Sequence, residues 1–291
     1  MIEIKVLDKN KAHAQEAIEA TIEEMKRIVS LMNIYDKKSE ISLINKNGKK
    51  GTIVSKELLE VINEAIRFSK LTKGAFDITI SPIFKCWNFG SKNPQLPDKN
   101  IIEEAKKRAG YQNIKIIQKE KKVVLEKGTV LDLGGIAKGY VVKKACDKLK
   151  KMGINSALVN AGGDIQVIGN NFGFPWKIGI QDPRHKKKIR KVIKIIDKAV
   201  ATSGDYEKYF ILEGKRYHHI LNPHTGYPAK KCISVTIIAT TAFVADILAT
   251  GVFALGPEEG LRLVESLEGI ECYIITANKE YTSSGFSNYV K

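Results

Sequence analysis

The sequence predicts an α+β fold: one compact domain over residues 1–291, with mixed or antiparallel sheets and packed helices. Three observations predict it. The chain is 291 residues long and 43% apolar, enough to bury a substantial core in one large unit or two intimate ones. Strand-like and helix-like periodicities follow one another in a mixed order, and neither an internal repeat nor a low-complexity linker divides them.

Met1-Ile2-Glu3-Ile4-Lys5-Val6 alternates as a strand, and about 11–33 has the spacing of a long amphipathic helix. Leu58, Leu59, Ile62, Ile66 and Phe68 mark the apolar positions of a second helix over 55–72. Residues 73–99, rich in Gly, Pro and Trp, read as a loop region. A short helix near 99–109 precedes strands at about 113–118 and 121–126, a glycine-rich turn at 134–139 and a helix at 139–152. Strands follow near 156–160, 164–168, 176–181, 190–197 and 199–202. The strand at 232–239 leads into a strongly apolar helix at about 241–255, and 271–276 supplies a late strand.

The formal charge of +16 alone would suggest a polyanionic partner. Its make-up argues otherwise: 7 Arg stand against 41 Lys, whereas reading of phosphates and bases favours Arg. A solvated lysine-rich surface is expected, without a nucleic-acid partner. Cys86, Cys146, Cys232 and Cys272 show no zinc spacing and read as buried or incidental thiols. No apolar run reaches the roughly 18–20 residues of a membrane span. The strand-like start lacks a signal peptide's apolar core, so the chain is expected to be cytoplasmic or a mature or trimmed form.

Four segments concentrate chemistry. Leu131-Asp132-Leu133-Gly134-Gly135-Ile136-Ala137-Lys138-Gly139-Tyr140 follows a strand and opens a helix, a context in which amides and the helix dipole suit a pyrophosphate. It matches neither the Walker A nor the Rossmann spacing, so a phosphate cradle and a tight corner both fit. Asn160-Ala161-Gly162-Gly163-Asp164 reads equally as a turn that only glycine tolerates. Asp246 and Thr250 lie four apart on the apolar helix, and a carboxylate there calls for a partner or a metal. A hard cation such as Mg²⁺ suits oxygen donors, with a structural Thr hydrogen bond as the alternative. Finally, Tyr217-His218-His219-Ile220-Leu221-Asn222-Pro223-His224-Thr225-Gly226-Tyr227-Pro228 holds three of the five histidines. Adjacent residues of an extended segment face opposite ways, so one of His218 and His219 can reach a site as general base, or both can belong to a hydrogen-bonded turn.

Seven blocks, in order, carry a resemblance: "MNIYDKKSEISLIN", "GAFDITISPIFKCWNFG", "LDLGGIAKGY", "LVNAGGDI", "AVATSGDYEKYF", "YHHILNPHTGYP" and "ADILATGVFALG". Together they resemble the ApbE family of flavin transferases over essentially the whole length. The resemblance implies a T-fold-related domain that splits FAD with Mg²⁺, transfers FMN through its phosphate to a Thr or Ser hydroxyl of an acceptor protein, and releases AMP. It further implies that Tyr35 stacks near the flavin, that Ala75, Phe76 and Asp77 line the FAD pocket, and that Asp132 and Lys138 contact FAD. Gly135, through its carbonyl, with Asp246 and Thr250 would hold the metal. His219 would be the base, and Ile220 would lie beside the nucleotide. The implied acceptor is a subunit of a redox-driven pump or electron-transfer chain, and the implied location is the extracytoplasmic face of a membrane. Two departures stand out. The family's Asp-Pro is Asn222-Pro223 here, and the lipoprotein leader and Met-Gly-Thr start are lacking, as a trimmed N-terminus would explain. An FAD pyrophosphatase and a non-catalytic flavin-binding protein are the alternatives to transfer.

Overall fold

A seven-stranded sheet organises the chain, in the spatial order β1 (Ile2–Val6), β5 (Ala157–Ala161), β6 (Asp164–Ile168), β9 (Ala199–Gly204), β12 (Ser234–Ala239), β13 (Glu271–Ile275) and β14 (Glu280–Thr282). The structure is a computed structural model and describes residues 2–91 and 93–290. A three-stranded sheet of β2 (Thr52–Ile53), β4 (Lys122–Leu125) and β3 (Ile114–Ile117) lies apart, with two hairpins, β7 (Trp176–Gln181) with β8 (Ile189–Ile195) and β10 (Tyr209–Leu212) with β11 (Lys215–His218). Every pairing among the described strands is antiparallel, which narrows the expected mixed or antiparallel sheets to the second kind.

Strand side chains alternate between two apolar layers, which is why the central strands read as unbroken apolar runs. On one face Val159, Ala201, Val235 and Ile237 join a core shared by α1 (Lys11–Met32), α3 (Lys56–Leu71), α6 (Ala137–Lys151) and α7 (Ala242–Leu255). On the other, Leu158, Val167, Val200 and Ile238 cluster with Trp176, Ile178, Ile193 and Ile195 of the β7–β8 hairpin. Helix α7 is the most enclosed: within it only Val244, Thr250 and Leu255 stay short of full burial. Its cap is Thr241, whose hydroxyl accepts from the Val244 amide, while the Gln166 side chain of β6 accepts from Ala242 N at 2.9 Å.

A third apolar cluster sits to one side. Here α4 (Ser81–Trp87) and α5 (Lys99–Lys106) bury Ile83, Trp87, Ile102 and Ala105 against Leu221, with Phe210, Tyr217 and Tyr227 around them. Trp87 Nε1 donates to the Gly226 carbonyl at 2.8 Å and so fastens the histidine loop to α4. The loop expected over 73–99 thus contains a helix. Pro82, read as a breaker, falls in the first helical turn, where a missing N–H costs nothing. Helix α2 (Glu40–Asn47), capped by Ser39, and α8 (Pro257–Glu265), which also opens on proline, were too short or too masked to stand out, as were β14 and α9 (Ser287–Val290). The β10–β11 hairpin turns on Glu213 and Gly214, both at positive φ. No helix among the described residues is long and apolar enough to cross a membrane.

Trp87 is 1% exposed, so Trp87→Ala should cost about 3–5 kcal/mol, seen as a lowered denaturation midpoint, and should loosen the histidine loop.

Candidate active site

The site forms where α6 begins against the middle of α7. Gly139, in the first turn of α6, has an amide with no partner inside its own helix, and it donates to Asp246 Oδ2 at 2.9 Å. The contact requires glycine, because a Cβ at 139 would lie 2.3 Å from the Ala242 carbonyl oxygen and 2.7 Å from Asp246 Cβ. Helix α6 has no side-chain cap at its start, which leaves the glycine-rich turn able to serve both readings offered by the sequence. The turn is a tight corner packed on α7; the Ala137 amide donates to the Leu133 carbonyl and the Gly139 amide to Asp246, which leaves the Lys138 amide as the first-turn donor an anion could use. Asp132 shapes it by accepting from Gly134 N at 2.8 Å.

Around Asp246 the polar groups converge. Lys138 Nζ lies 2.5 Å from Asp164 Oδ2 and 3.8 Å from Asp246 Oδ1. Both carboxylates are buried, while the Lys138 side chain is half exposed. Burial opposes the lysine's charge, but Asp246 and Asp164 outweigh it and hold its pKa above the ordinary lysine value. Asp164 is pushed up to about 7, first by burial and then by Asp246, with Lys138 pulling the other way. Thr250, one helical turn after Asp246, meets Ser203 of β9 with its hydroxyl at 3.2 Å. A Cβ on Gly135 would sit 3.5 Å from that hydroxyl and 3.5 Å from the Phe76 ring, so the Gly135 backbone faces Thr250 across a narrow gap.

Sequence reasoning missed the Asp164 side chain. It had read the segment for its glycines, and Gly162 and Gly163, at φ +65° and +99°, do make the tight β5–β6 turn. That turn starts β6 at Asp164, and a buried carboxylate at the head of an apolar strand was the signal available. Ser203 was not singled out, although it lies inside the quoted block "AVATSGDYEKYF".

The two histidines diverge as expected. His218 is buried, with Nε2 at 2.7 Å from the Ala229 carbonyl and Nδ1 accepting from the Ile220 amide at 3.3 Å, so its ring is neutral and structural. Burial also lowers its pKa. His219 is half-buried, and its Nδ1 donates to the Lys208 carbonyl at 3.2 Å, which leaves the Nε2 lone pair free to accept a proton. Its pKa is pushed down to about 4, chiefly by burial, with His218, Lys208 and Lys138 adding to the depression. His224 is bound to the Lys73 carbonyl at 2.8 Å and serves the loop. Asn222 explains its own identity. Its side-chain oxygen accepts from His224 N and Thr225 N, while its amide nitrogen donates to the Ala254 carbonyl at 3.4 Å, and an aspartate could make only the first two.

The remaining expected residues play varied parts. Ala75 and Phe76 are buried beneath the Gly135 turn. Asp77 has both oxygens engaged, Oδ1 by the Thr79 amide and hydroxyl and Oδ2 by the Tyr111 amide, so its carboxylate is a strut for this floor. Ile220 is buried in the main core. Tyr35 is 89% exposed on the α1–α2 connection, and α2 is tied to the segment before the glycine turn by Asn45, which pairs with the Leu131 amide and carbonyl.

A family model described as "ApbE family" matches residues 1–274. The chain belongs to the ApbE family. Among relatives, a Haemophilus influenzae protein named FAD:protein FMN transferase is 33% identical over 95% of this chain and 82% of its own length. A Vibrio cholerae protein of the same name is 35% identical over 89% of this chain and 80% of its own. Among solved structures, an ApbE protein from Thermotoga maritima superposes with a TM-score of 0.92 at 37% identity, covering 100% of this chain and 96% of its own. The flavin transferase ApbE from Vibrio cholerae gives 0.87 at 32% identity, covering 99% and 95%.

The oxygen donors fit the hard cation expected from the sequence resemblance. Among the described residues no hydrogen bond reaches Asp246 Oδ1, and the Thr250 hydroxyl and the Gly135 backbone lie beside one another. No cluster of three His, Cys, Asp or Glu side chains that could hold a metal gathers among those residues.

Two outcomes check this geometry. Gly139→Ala should lower thermal stability and weaken the site, because the new Cβ pushes α6 off α7. For His219, the folded-state pKa of about 4 lies below its ordinary value near 6.5. The unfolded chain therefore binds more protons between these values, and His219 makes stability fall on acidification through that window. Asp164, shifted upward, has the opposite sign between its ordinary value and about 7, so the His219 contribution is read as the difference between wild type and His219→Gln across pH 4 to 7.

Proposed function

We propose that this chain is an FAD:protein FMN transferase: it moves FMN from FAD to a Thr or Ser hydroxyl of an acceptor protein through a phosphoester bond and releases AMP. The observation that carries the reading is the Lys138 ammonium among the oxygen donors of Asp246, Thr250 and Gly135, with a neutral His219 imidazole near enough for that lysine's charge to act on it. The names of the relatives support it, as does the resemblance across the seven sequence blocks.

In this mechanism Asp246 Oδ1, the Thr250 hydroxyl and the Gly135 carbonyl would hold Mg²⁺. When bound, Mg²⁺ supplies Lewis-acid stabilisation of the pyrophosphate charge, typically worth several kcal/mol. The chain's own groups do the rest. Lys138, fixed by Asp164, presents its ammonium to the phosphates, and its own amide in the first turn of α6 can serve the same oxygens. Asp132 keeps the turn in shape, with Ala75, Phe76 and Asp77 as floor and Ile220 behind the nucleotide. His219 Nε2 takes the acceptor hydroxyl's proton as that oxygen bonds to the FMN-side phosphorus. The bond from that phosphorus to the bridging oxygen breaks, and AMP departs with the bridging oxygen. The exposed Tyr35 ring closes over the flavin and screens the phosphorus from bulk water, which favours a protein hydroxyl over hydrolysis. The family resemblance supports an acceptor in a redox-driven pump or electron-transfer complex at the extracytoplasmic face of a membrane.

Mass spectrometry of a co-expressed acceptor should show one FMN adduct on a Thr or Ser; free FMN and AMP with no adduct would establish a pyrophosphatase instead. Asp246→Ala should abolish transfer in Mg²⁺. His219→Ala should slow it by about 10² to 10⁴ and leave FAD binding nearly intact, and unchanged turnover at neutral pH would remove the histidine from the mechanism.

A further inference from the structure

The histidine segment has a second side. His218 lines a cavity of about 780 Å³ that His219 does not enter, as befits neighbours on an extended strand. Arg184, Lys215, Arg216, Lys230 and Lys231 supply its cations. Against them stand Asp205 and Glu258, and Asp205 is already committed: Arg184 clamps its two oxygens at 2.6 and 2.7 Å, and Arg216 approaches at 3.4 Å. That carboxylate aligns two guanidiniums while cancelling the charge of one. Tyr217, Tyr227, Pro228 and Ala229 of the histidine loop give the same cavity an apolar wall.

We propose that this cavity docks an acidic, extended segment of the acceptor protein and thereby delivers the acceptor hydroxyl to His219 on the far side of the strand. The inference rests on the transferase reading. Two features select this occupant. The excess of cations complements carboxylates, and His218 in the cavity wall means that a chain held there lies against the residue next to the base His219. A nucleic-acid duplex, at about 20 Å across, does not fit a recess of this size, and only two of its five cations are the arginines that read bases best.

The probe is a fluorescein-labelled tetra-aspartate peptide without Ser or Thr, followed by anisotropy on the full chain saturated with FAD. The variant is Lys215→Gln/Lys230→Gln/Lys231→Gln, three exposed side chains outside the catalytic machinery. The expected result is peptide binding that salt weakens, that an all-asparagine analogue lacks, and that the triple variant loses by about tenfold or more, with the thermal midpoint unchanged. The KM for an acceptor protein should rise with it, while kcat and the KM for FAD hold. Equal peptide affinity in the variant overturns the proposal. So does a thymidine tetranucleotide that outcompetes the peptide on the wild type and loses that advantage in the variant, since the occupant is then nucleic acid. A chain that binds the peptide through these lysines but flavinylates no protein overturns the transferase reading instead. One that flavinylates its acceptor while the variant keeps full peptide binding overturns only the cavity.

Discussion

The seat of the Asp246 carboxylate is the constraint from which the rest follows. A buried carboxylate in an apolar helix is tolerable only if something compensates it, and here the compensation comes from the backbone of a neighbouring helix start, through the Gly139 amide. That bond fixes how closely α6 and α7 approach, and with it the position of Lys138 one residue earlier and of the Gly135 turn before that. Asp164 completes the set from the sheet, so two helices and a strand, far apart in sequence, are registered on one pair of acidic groups. Burial, and then the Asp246 charge, raises Asp164, and the two carboxylates together hold Lys138 charged, which is the electrostatic preorganisation a phosphoryl transfer needs.

The loop that carries the histidines is positioned by other forces. Trp87, the aromatic cluster around it and the paired Asn222 side chain anchor the segment from below and from both ends. The His218 ring is used up as a brace. His219 is left with one nitrogen bound and the other free, the arrangement a base requires, and the brace beside it keeps the strand from twisting the free ring away.

Much of this was legible in the sequence. The apolar run over 242–255 announced a buried helix, and the spacing of Asp246 and Thr250 announced a shared face, because both rest on local periodicity. The divergence of His218 and His219 was legible for the same reason. What could not be read were relations across the fold: that Asp164 meets Lys138, that Ser203 meets Thr250, and that the second oxygen of Asp77 accepts from the Tyr111 amide of a different loop. Short elements were also hidden. Pro82 and Pro257 look like interruptions until they are placed in a first helical turn, where proline does no harm.

The low proton affinity of the free His219 ring has a bearing on timing. Part of it comes from the Lys138 ammonium, and a dinucleotide's phosphates arriving beside that lysine would neutralise the charge that suppresses the imidazole. Burial remains the larger cause, so the ring stays a weak base, and the proton moves to it only as the attacking oxygen bonds to phosphorus and becomes acidic.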